Sequence, residues 1–237
     1  KSNMSEFDEN VKEKLVLSLD VGDLDASLTM VELVGDYFGY VKIGSELYAQ
    51  NGAESVIKMR ELGIKVFLDL KLHDIPNTVE RACEVHASRG ISMMTVHGAG
   101  GKEMLLAAQR GLKKGAISCG FDTPILLAVT VLTSLPADEE AFKARLLLAQ
   151  EVACDIVCST HELALKNSIA PNVRALTPGI RLAGQDVGDQ NRIATPESAI
   201  KDGSNWLVLG RAVTGADDPI KATKDVFLQV QTALYDN

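Results

Sequence analysis

Two carboxylates and an ammonium group stand close together in one short stretch of the chain, and they are the residues best suited to chemistry. Asp69 and Lys71 are separated by one residue, and Asp74 follows three positions later. Side chains alternate between the two faces of a β-strand, so Asp69 and Lys71 share one face while Leu68 and Leu70 share the other. A buried charge without a partner is costly, so three charges near one strand end indicate mutual pairing for a chemical purpose. The alternative is a half-buried strand with a solvated charged face.

Strand-like and helix-like patterns alternate along the chain, which is typical of a parallel sheet covered by helices. Each predicted strand is followed by a predicted helix, and Asn77 with Glu80 predicts a capping box at the start of the helix after the third strand. Eight such units predict an α/β fold, a (β/α)8 TIM barrel forming a single domain over residues 5–237, with residues 1–4 as a remnant of expression cloning. An open doubly wound sheet is the alternative. The predicted strands are 15–19, 40–43, 66–71, 92–97, 124–132, 155–158, 173–176 and 206–209.

A closed barrel brings the carboxyl ends of all its strands to one mouth, where ligands bind. Polar residues lie at or just beyond several of these predicted ends, so they are expected to converge although they are distant in sequence. They are Asp20, Lys42, Asp69, Lys71 and Thr133.

The loops after the seventh and eighth strands suit a phosphate group, which TIM barrels often bind there. They contain Gly179 with Arg181, and Gly210 with Arg211. Glycine lets backbone donors approach a ligand closely, and a guanidinium can hold two phosphate oxygens. Each pair taken singly is also compatible with a turn glycine and a surface arginine. Residues 182–191 have little to pack and are predicted to form a mobile lid.

Charge and missing motifs argue against several functions. The net charge of −8 argues against nonspecific nucleic-acid binding, and no apolar run approaches the roughly 18 residues of a membrane span. The phosphate loop G-x-x-x-x-G-K-[ST] is absent and no Gly-x-Gly-x-x-Gly follows a strand, which argues against nucleotide hydrolysis and dinucleotide binding. The four cysteines lack zinc-site spacing, so buried reduced thiols in a cytoplasmic protein are predicted.

Two histidines lie near the charged stretch. His97 ends the fourth predicted strand and is either a base or a hydrogen-bonded structural residue. His73 lies among the charges, where orienting the loop is favoured over proton transfer.

The segment Asp69–Thr78, with the sequence Asp-Leu-Lys-Leu-His-Asp-Ile-Pro-Asn-Thr, resembles the signature of the orotidine 5′-monophosphate decarboxylase family. Its shorter core, Asp-x-Lys-x-x-Asp, also resembles a wider group that includes ketogulonate-phosphate decarboxylases. The resemblance covers nearly the whole chain, because further segments match in the family's order. They are residues 17–20, 41–44, 129–134, 177–181, 188–190 and 209–211.

The resemblance implies decarboxylation of orotidine 5′-monophosphate to uridine 5′-monophosphate, in pyrimidine biosynthesis, with no metal or organic cofactor. In that reaction Lys71 protonates C6 of the pyrimidine as carbon dioxide leaves, and Asp69 lies near the substrate carboxylate. Lys42 and Asp74 complete an alternating array of charges.

The resemblance also implies how the nucleotide and a second subunit are held. A homodimer shares its active sites, with Asp74, Ile75 and Thr78 reaching into the partner's site. The remaining substrate contacts are Asp20 and Lys42 to the ribose, Thr133 to the pyrimidine, Gln190, Gly210 and Arg211 to the phosphate, and Arg181 in support of the lid.

Two other functions remain open for such a barrel. One is a metal-dependent sugar-phosphate lyase or isomerase, which needs a dedicated magnesium site. The other is a barrel that binds a nucleotide without converting it. Residues 76–78, Thr133 and residues 188–190 favour the decarboxylase.

Overall fold

The computed structural model of the chain describes residues 7–182 and 194–236. Within these ranges eight parallel strands form a closed barrel in which β1 pairs with both β2 and β8. The predicted TIM barrel is therefore confirmed, and the open sheet is wrong. The strands are β1 Leu15–Ser18, β2 Tyr40–Gly44, β3 Lys65–Leu72, β4 Met93–His97, β5 Ile125–Val129, β6 Asp155–Val157, β7 Ala175–Thr177 and β8 Trp206–Leu209.

Helices cover the outside of the barrel over the same described residues. They begin where the sequence supplies caps: the Asp138 side chain accepts a hydrogen bond from the Ala141 amide, and Thr195 with Pro196 starts another helix. The helices are α1 Glu9–Lys12, α2 Leu24–Val34, α3 Ser45–Asn51, α4 Ala53–Glu61, α5 Pro76–Ser88, α6 Lys102–Ser118, α7 Glu139–Val152, α8 Leu163–Ile169, α9 Pro196–Lys201, α10 Arg211–Thr214 and α11 Pro219–Tyr235.

Two local predictions were wrong. Asn77 does not cap α5, because the helix already begins at Pro76, whose ring fixes a helical φ, and the N-cap residue is Ile75. The predicted fifth strand was too long, because β5 ends at Val129. The Thr130 amide still donates to the Val157 carbonyl of β6 at 3.4 Å, but the Thr130 carbonyl accepts a hydrogen bond from the Arg145 guanidinium of α7.

The strands divide their side chains between two apolar clusters. One face of each strand packs against the helices, and Leu68 and Met94 belong to this outer cluster. The inner face fills the barrel with Val16, Tyr40 and Phe67, among others. The predicted period of two in β3 is therefore confirmed, since Leu68 points to the helices and Phe67 and Asp69 point into the barrel.

The four cysteines do not all follow the prediction of buried thiols. Cys83, Cys154 and Cys158 are buried, and burial raises the pKa of Cys83 and of Cys154 to about 12. Cys119 is exposed, because it follows the last residue of α6 on the surface. All four are free thiols. In the ranges that the structure describes, no helix has the length and apolar character needed to cross a membrane.

Helices α5 and α6 pack unusually closely, and two glycines of α6 make this possible. A Cβ atom at Gly111 would collide with the carbonyl oxygen of Glu80, and one at Gly115 with the carbonyl oxygen of Glu84. These carbonyls belong to α5, which continues directly from the loop after β3. The close contact therefore fixes the position of the helix that begins just beyond the charged residues.

We predict that Gly111→Ala and Gly115→Ala each destabilise the fold. Alanine favours a helix over glycine by about 0.5–1 kcal/mol, but the collision with backbone that cannot move aside should cost about 1–3 kcal/mol and outweigh it. Urea unfolding measures the difference. Lys113→Ala, an exposed position between the two glycines, is the control and should change little. Glycine variants as stable as the wild type would show that α5 and α6 can separate freely.

Candidate active site

A pocket of about 330 Å³ opens at the carboxyl ends of the strands. It contains most of the residues that the sequence singled out, so the convergence of distant polar residues is observed. The predicted residues that line it are Asp20, Lys42, Asp69, Lys71, Thr133, Arg181, Gly210 and Arg211.

The inward side chains of the strands change from apolar to polar where the barrel interior meets the pocket. Tyr40, Phe67 and Met93 fill the barrel interior, and two residues later on the same strands come Lys42, Asp69 and Thr95. Since side chains repeat every second residue along a strand, the polar groups form a layer directly above the apolar one. The floor of the pocket is thus apolar, and charged groups stand directly above it.

Asp69 is the centre of the charged layer, although it is only 7% exposed. Its Oδ2 atom lies 3.2 Å from Lys42 Nζ, and both of its oxygens lie 2.9 Å from Lys71 Nζ. The hydroxyl of Thr95 donates a further hydrogen bond of 2.7 Å to Asp69 Oδ1. One carboxylate is therefore held by two ammonium groups and a hydroxyl, which leaves the cluster with an excess of positive charge.

The charge state of Asp69 follows from these contacts. Burial by itself would raise the pKa of Asp69, but the charges of Lys42 and Lys71, together with hydrogen bonds from Lys71 and Thr95, lower it below its ordinary value. Asp69 is consequently ionised at neutral pH despite its burial. The two lysines are less enclosed, with 16% of the Lys42 side chain and 38% of the Lys71 side chain exposed.

Lys71 occupies an unusual backbone conformation. Its φ is +49°, in the left-handed region that residues other than glycine rarely adopt. The register between β3 and β4 shifts between Leu68 and Leu72, and the amide of Lys71 donates to Thr95 Oγ1 at 3.1 Å. Non-glycine residues in this region cost free energy and cluster at functional sites. The ammonium of Lys71 contacts Asp69, two residues earlier, from this conformation.

Asp20 lies next to Lys42 at one side of the pocket. The hydroxyl of Ser18 donates a 2.6 Å hydrogen bond to Asp20 Oδ2, which fixes the carboxylate. A Cβ atom placed on Gly44 would lie 3.8 Å from Asp20 Oδ1 and 3.9 Å from Lys42 Nζ, so both groups border the same small space. A carboxylate and an ammonium group side by side can accept from and donate to a pair of hydroxyl groups.

Arginines and glycines line the pocket where the loops after β7 and β8 reach it. Gly179 has a φ of +76°, which only glycine adopts readily, and Arg181 follows it on the loop after β7. Gly210 precedes α10, whose first residue is the exposed Arg211. Two guanidinium groups at one end of a pocket are suited to a phosphate. Gln190 and most of the predicted lid lie outside the described residues.

Three predicted site residues do not line this pocket. Asp74, Ile75 and Thr78 are exposed, and Ile75 is 64% exposed, which is high for a large apolar residue. Asp74 accepts a hydrogen bond from the Ile75 amide at 2.7 Å but forms no ion pair with any residue in the described ranges. In a single chain, therefore, Asp74 does not complete the array of charges with Lys42.

His73 and His97 lie beside the pocket rather than in its lining. Their ring centres are 5.4 Å apart. The pKa of His97 is lowered by burial and by the nearby charges of His73, Lys71 and Arg145, which outweigh Asp69. His97 is therefore neutral at pH 7. His97 does not line the pocket, which is compatible with a structural role.

Sequence reasoning missed Ser18 and Thr95 as residues of the site. Both are buried polar residues on the inner face of a strand, two positions after an apolar residue that fills the barrel. The missed signal was a hydroxyl side chain at an inward position of a predicted strand. Such a side chain needs a hydrogen-bond partner, and here the partners are Asp20 and Asp69.

Comparison with known proteins identifies the relatives of the chain. The profile of a family described as "Orotidine 5'-phosphate decarboxylase / HUMPS family" matches residues 13–226. The chain belongs to this family. Both the family and the carboxy-lyase class predicted from the sequence are confirmed.

Individual members of the orotidine 5′-phosphate decarboxylase family match over most of their length. A protein of that name from Moorella thermoacetica is 38% identical over 94% of each chain. One from Lysinibacillus sphaericus is 45% identical over 79% of this chain and 86% of its own. The crystal structure of the enzyme from Lactobacillus acidophilus superposes with a TM-score of 0.79 at 33% identity, covering 92% of this chain and 99% of that one.

Proposed function

We propose that the pocket binds orotidine 5′-monophosphate and releases carbon dioxide from it to form uridine 5′-monophosphate, with Lys71 as the proton donor to C6. The overall reaction is that of the family and belongs to pyrimidine biosynthesis. The observation that carries the mechanism is the pairing of Asp69 with two ammonium groups at the buried end of the pocket.

The reaction requires a fixed positive charge. Loss of carbon dioxide leaves an electron pair on C6 in the plane of the ring, where no neighbouring carbonyl can delocalise it. The ammonium of Lys71 is held by Asp69 and reaches into the pocket, so it can stabilise this charge and then give up a proton to it. One unit charge at about 4 Å is worth roughly 4 kcal/mol at an effective dielectric constant of 20, or about a thousandfold in rate.

This contribution alone is too small. Enzymes commonly lower the barrier by about 8–23 kcal/mol, so the binding of other parts of the substrate must supply the rest. The ribose fits the side of the pocket with Asp20 and Lys42, the base lies next to Thr133, and the phosphate lies between Arg181, Gly210 and Arg211. These contacts hold C6 against Lys71 without touching the reacting bond.

The environment of Asp69 favours the cofactor-free reaction over a metal-dependent one. Both oxygens of this carboxylate already accept hydrogen bonds from Lys71, and one also accepts from Lys42. A divalent cation bound to Asp69 would lie next to two ammonium groups and be repelled by them. The same cluster argues against simple nucleotide binding, since a buried carboxylate paired with two ammonium groups next to a strained backbone costs free energy that binding alone does not require.

We further propose a homodimer with shared active sites, in which Asp74, Ile75 and Thr78 of each subunit enter the partner's pocket. All three residues are exposed and do not line the pocket of their own chain, so their side chains are available to a second subunit. An isoleucine that is 64% exposed gains from burial in an interface, and Leu135, 57% exposed on the loop after β5, lies at the same end of the barrel. A cytoplasmic location is part of the same proposal.

We predict that Lys71→Ala lowers kcat for orotidine 5′-monophosphate by about a thousandfold or more, because it removes both the charge and the proton donor. The loss of absorbance of the substrate measures turnover. Lys113→Ala, which removes an exposed lysine of α6, should leave kcat unchanged. EDTA should have no effect on the wild type. A folded Lys71→Ala protein with near-normal turnover would refute the proton donor, and chelator sensitivity would favour the metal-dependent lyase.

We predict that Arg211→Ala lowers kcat/KM much more for orotidine 5′-monophosphate than for the nucleoside orotidine. Arg211 is assigned to the phosphate, which the nucleoside lacks, so only the phosphorylated substrate should lose binding energy. Steady-state kinetics with both substrates give the comparison within one variant. Equal losses on the two substrates would mean that Arg211 acts on the fold or on the reacting end.

We predict that the Lys71→Ala and Asp74→Ala variants are each inactive alone and that coexpressing the two chains restores activity. If Asp74 acts in the partner's site, a mixed dimer contains one intact site, and the mixture should reach about a quarter of wild-type activity by random pairing. The control mixes Lys71→Ala with Asp69→Ala, which stand in the same pocket and leave no intact site. Recovery in both mixtures, or in neither, would contradict a shared site.

A further inference from the structure

One hydroxyl group connects the two residues at the centre of the pocket. Thr95 lies on β4 with 1% of its surface exposed. Its Oγ1 atom is 2.7 Å from Asp69 Oδ1 and 3.1 Å from the backbone nitrogen of Lys71. The side chain of one strand therefore contacts the carboxylate and the backbone of two residues on the next.

The direction of these hydrogen bonds is fixed by chemistry. The carboxylate of Asp69 is ionised and can only accept, so the single proton of the hydroxyl points to it. The amide of Lys71 can only donate, so it points to a lone pair of the same oxygen. The hydroxyl of Thr95 thus uses its donor and an acceptor at once, and neither partner can be exchanged for the other.

The position of Lys71 gives this contact its importance. The backbone of Lys71 has a φ of +49° at the point where the register between β3 and β4 shifts. The Lys71 amide therefore bonds to a side chain of β4, and without that side chain this left-handed turn would lose a hydrogen bond that holds it.

We propose that Thr95 is a positioning residue, which holds the Lys71 backbone in its left-handed conformation and fixes the orientation of the Asp69 carboxylate, so that the ammonium of Lys71 stays aimed at the reacting carbon. The proposal rests on the proposed decarboxylation. It assigns Thr95 no contact with the transferred proton. An error of about 1 Å in the place of a reacting group can cost a hundredfold in rate, so a hydroxyl that takes no part in the chemical step can control it.

The test compares Thr95→Val, which keeps the shape and removes the hydroxyl, with Thr95→Ser, which keeps the hydroxyl. We expect Thr95→Val to lower kcat by roughly 10- to 100-fold, with less than about a threefold change in KM and in the dissociation constant of uridine 5′-monophosphate. Thr95→Ser should recover most of the lost kcat. Thr223→Val is the control: its hydroxyl is buried in α11 with no hydrogen-bond partner in the described part of the chain, and its kinetics should equal those of the wild type.

A pH profile provides a readout that a purely structural role would not change. Lys42, Lys71 and Thr95 lower the pKa of Asp69. His97 is a further titratable group nearby, and its pKa responds to the charges of Asp69 and Lys71. Removing the Thr95 hydroxyl removes one hydrogen bond to the ionised form, so the pKa of Asp69 should rise. The acid limb of kcat/KM should therefore move to higher pH in Thr95→Val and return in Thr95→Ser. Carboxyl NMR of Asp69 measures the same shift without turnover.

Each outcome decides the proposal. Wild-type kcat in Thr95→Val, or an unchanged Asp69 titration, would overturn it. A Thr95→Val protein that loses thermal stability and binding together with kcat, with no recovery in Thr95→Ser, would show a role in folding instead and would also overturn it. A wild-type protein that fails to decarboxylate the substrate refutes the proposed function, and in that case the Asp69 titration still tests whether Thr95 holds the carboxylate.

Discussion

The structure depends on a carboxylate that is ionised in a place where water hardly reaches it. Asp69 can remain charged there because two ammonium groups and a hydroxyl contact its two oxygens. The arrangement is mutual, since the ammonium of Lys71 is kept in one position by the carboxylate that it stabilises. A site that must stabilise a carbanion needs a cation that does not reorient during the reaction, and Asp69 supplies the means of fixing it.

The closed barrel provides the positions from which this cluster is built. Successive inward residues on one strand lie two positions apart, and neighbouring strands bring the same layer into contact. Lys42, Asp69 and Thr95 come from three adjacent strands and meet because each follows a residue that fills the barrel. The apolar layer beneath them keeps water from the floor of the pocket. Loops after β7 and β8 can then bind the far end of a substrate without disturbing that layer.

Much of this could be predicted from the sequence, because alternating patterns report which face a residue occupies. The pattern around Asp69 gave the correct face, and strand ends gave the residues that converge. The left-handed turn at Lys71 could not be predicted, since it arises from a register shift between two strands. Thr95 was missed because an inward hydroxyl on a strand shows only that a hydrogen-bond partner is needed, and its partners Asp69 and Lys71 lie on another strand. Cys119 was misplaced because its exposure depends on where α6 ends.

The cluster of Lys42, Asp69 and Lys71 has two positive groups and one negative group, which suits a substrate that brings a carboxylate of its own. Without a ligand, Lys71 contacts both oxygens of Asp69. A substrate carboxylate entering the pocket would bring a second negative group to the same ammonium, and Lys42 offsets part of the resulting repulsion. In the reaction that we propose, the electron pair left on the ring by carbon dioxide takes the place of that carboxylate as the partner of Lys71. In this proposal the Lys71 ammonium faces a negative charge before, during and after bond breaking, until its proton is transferred to the ring.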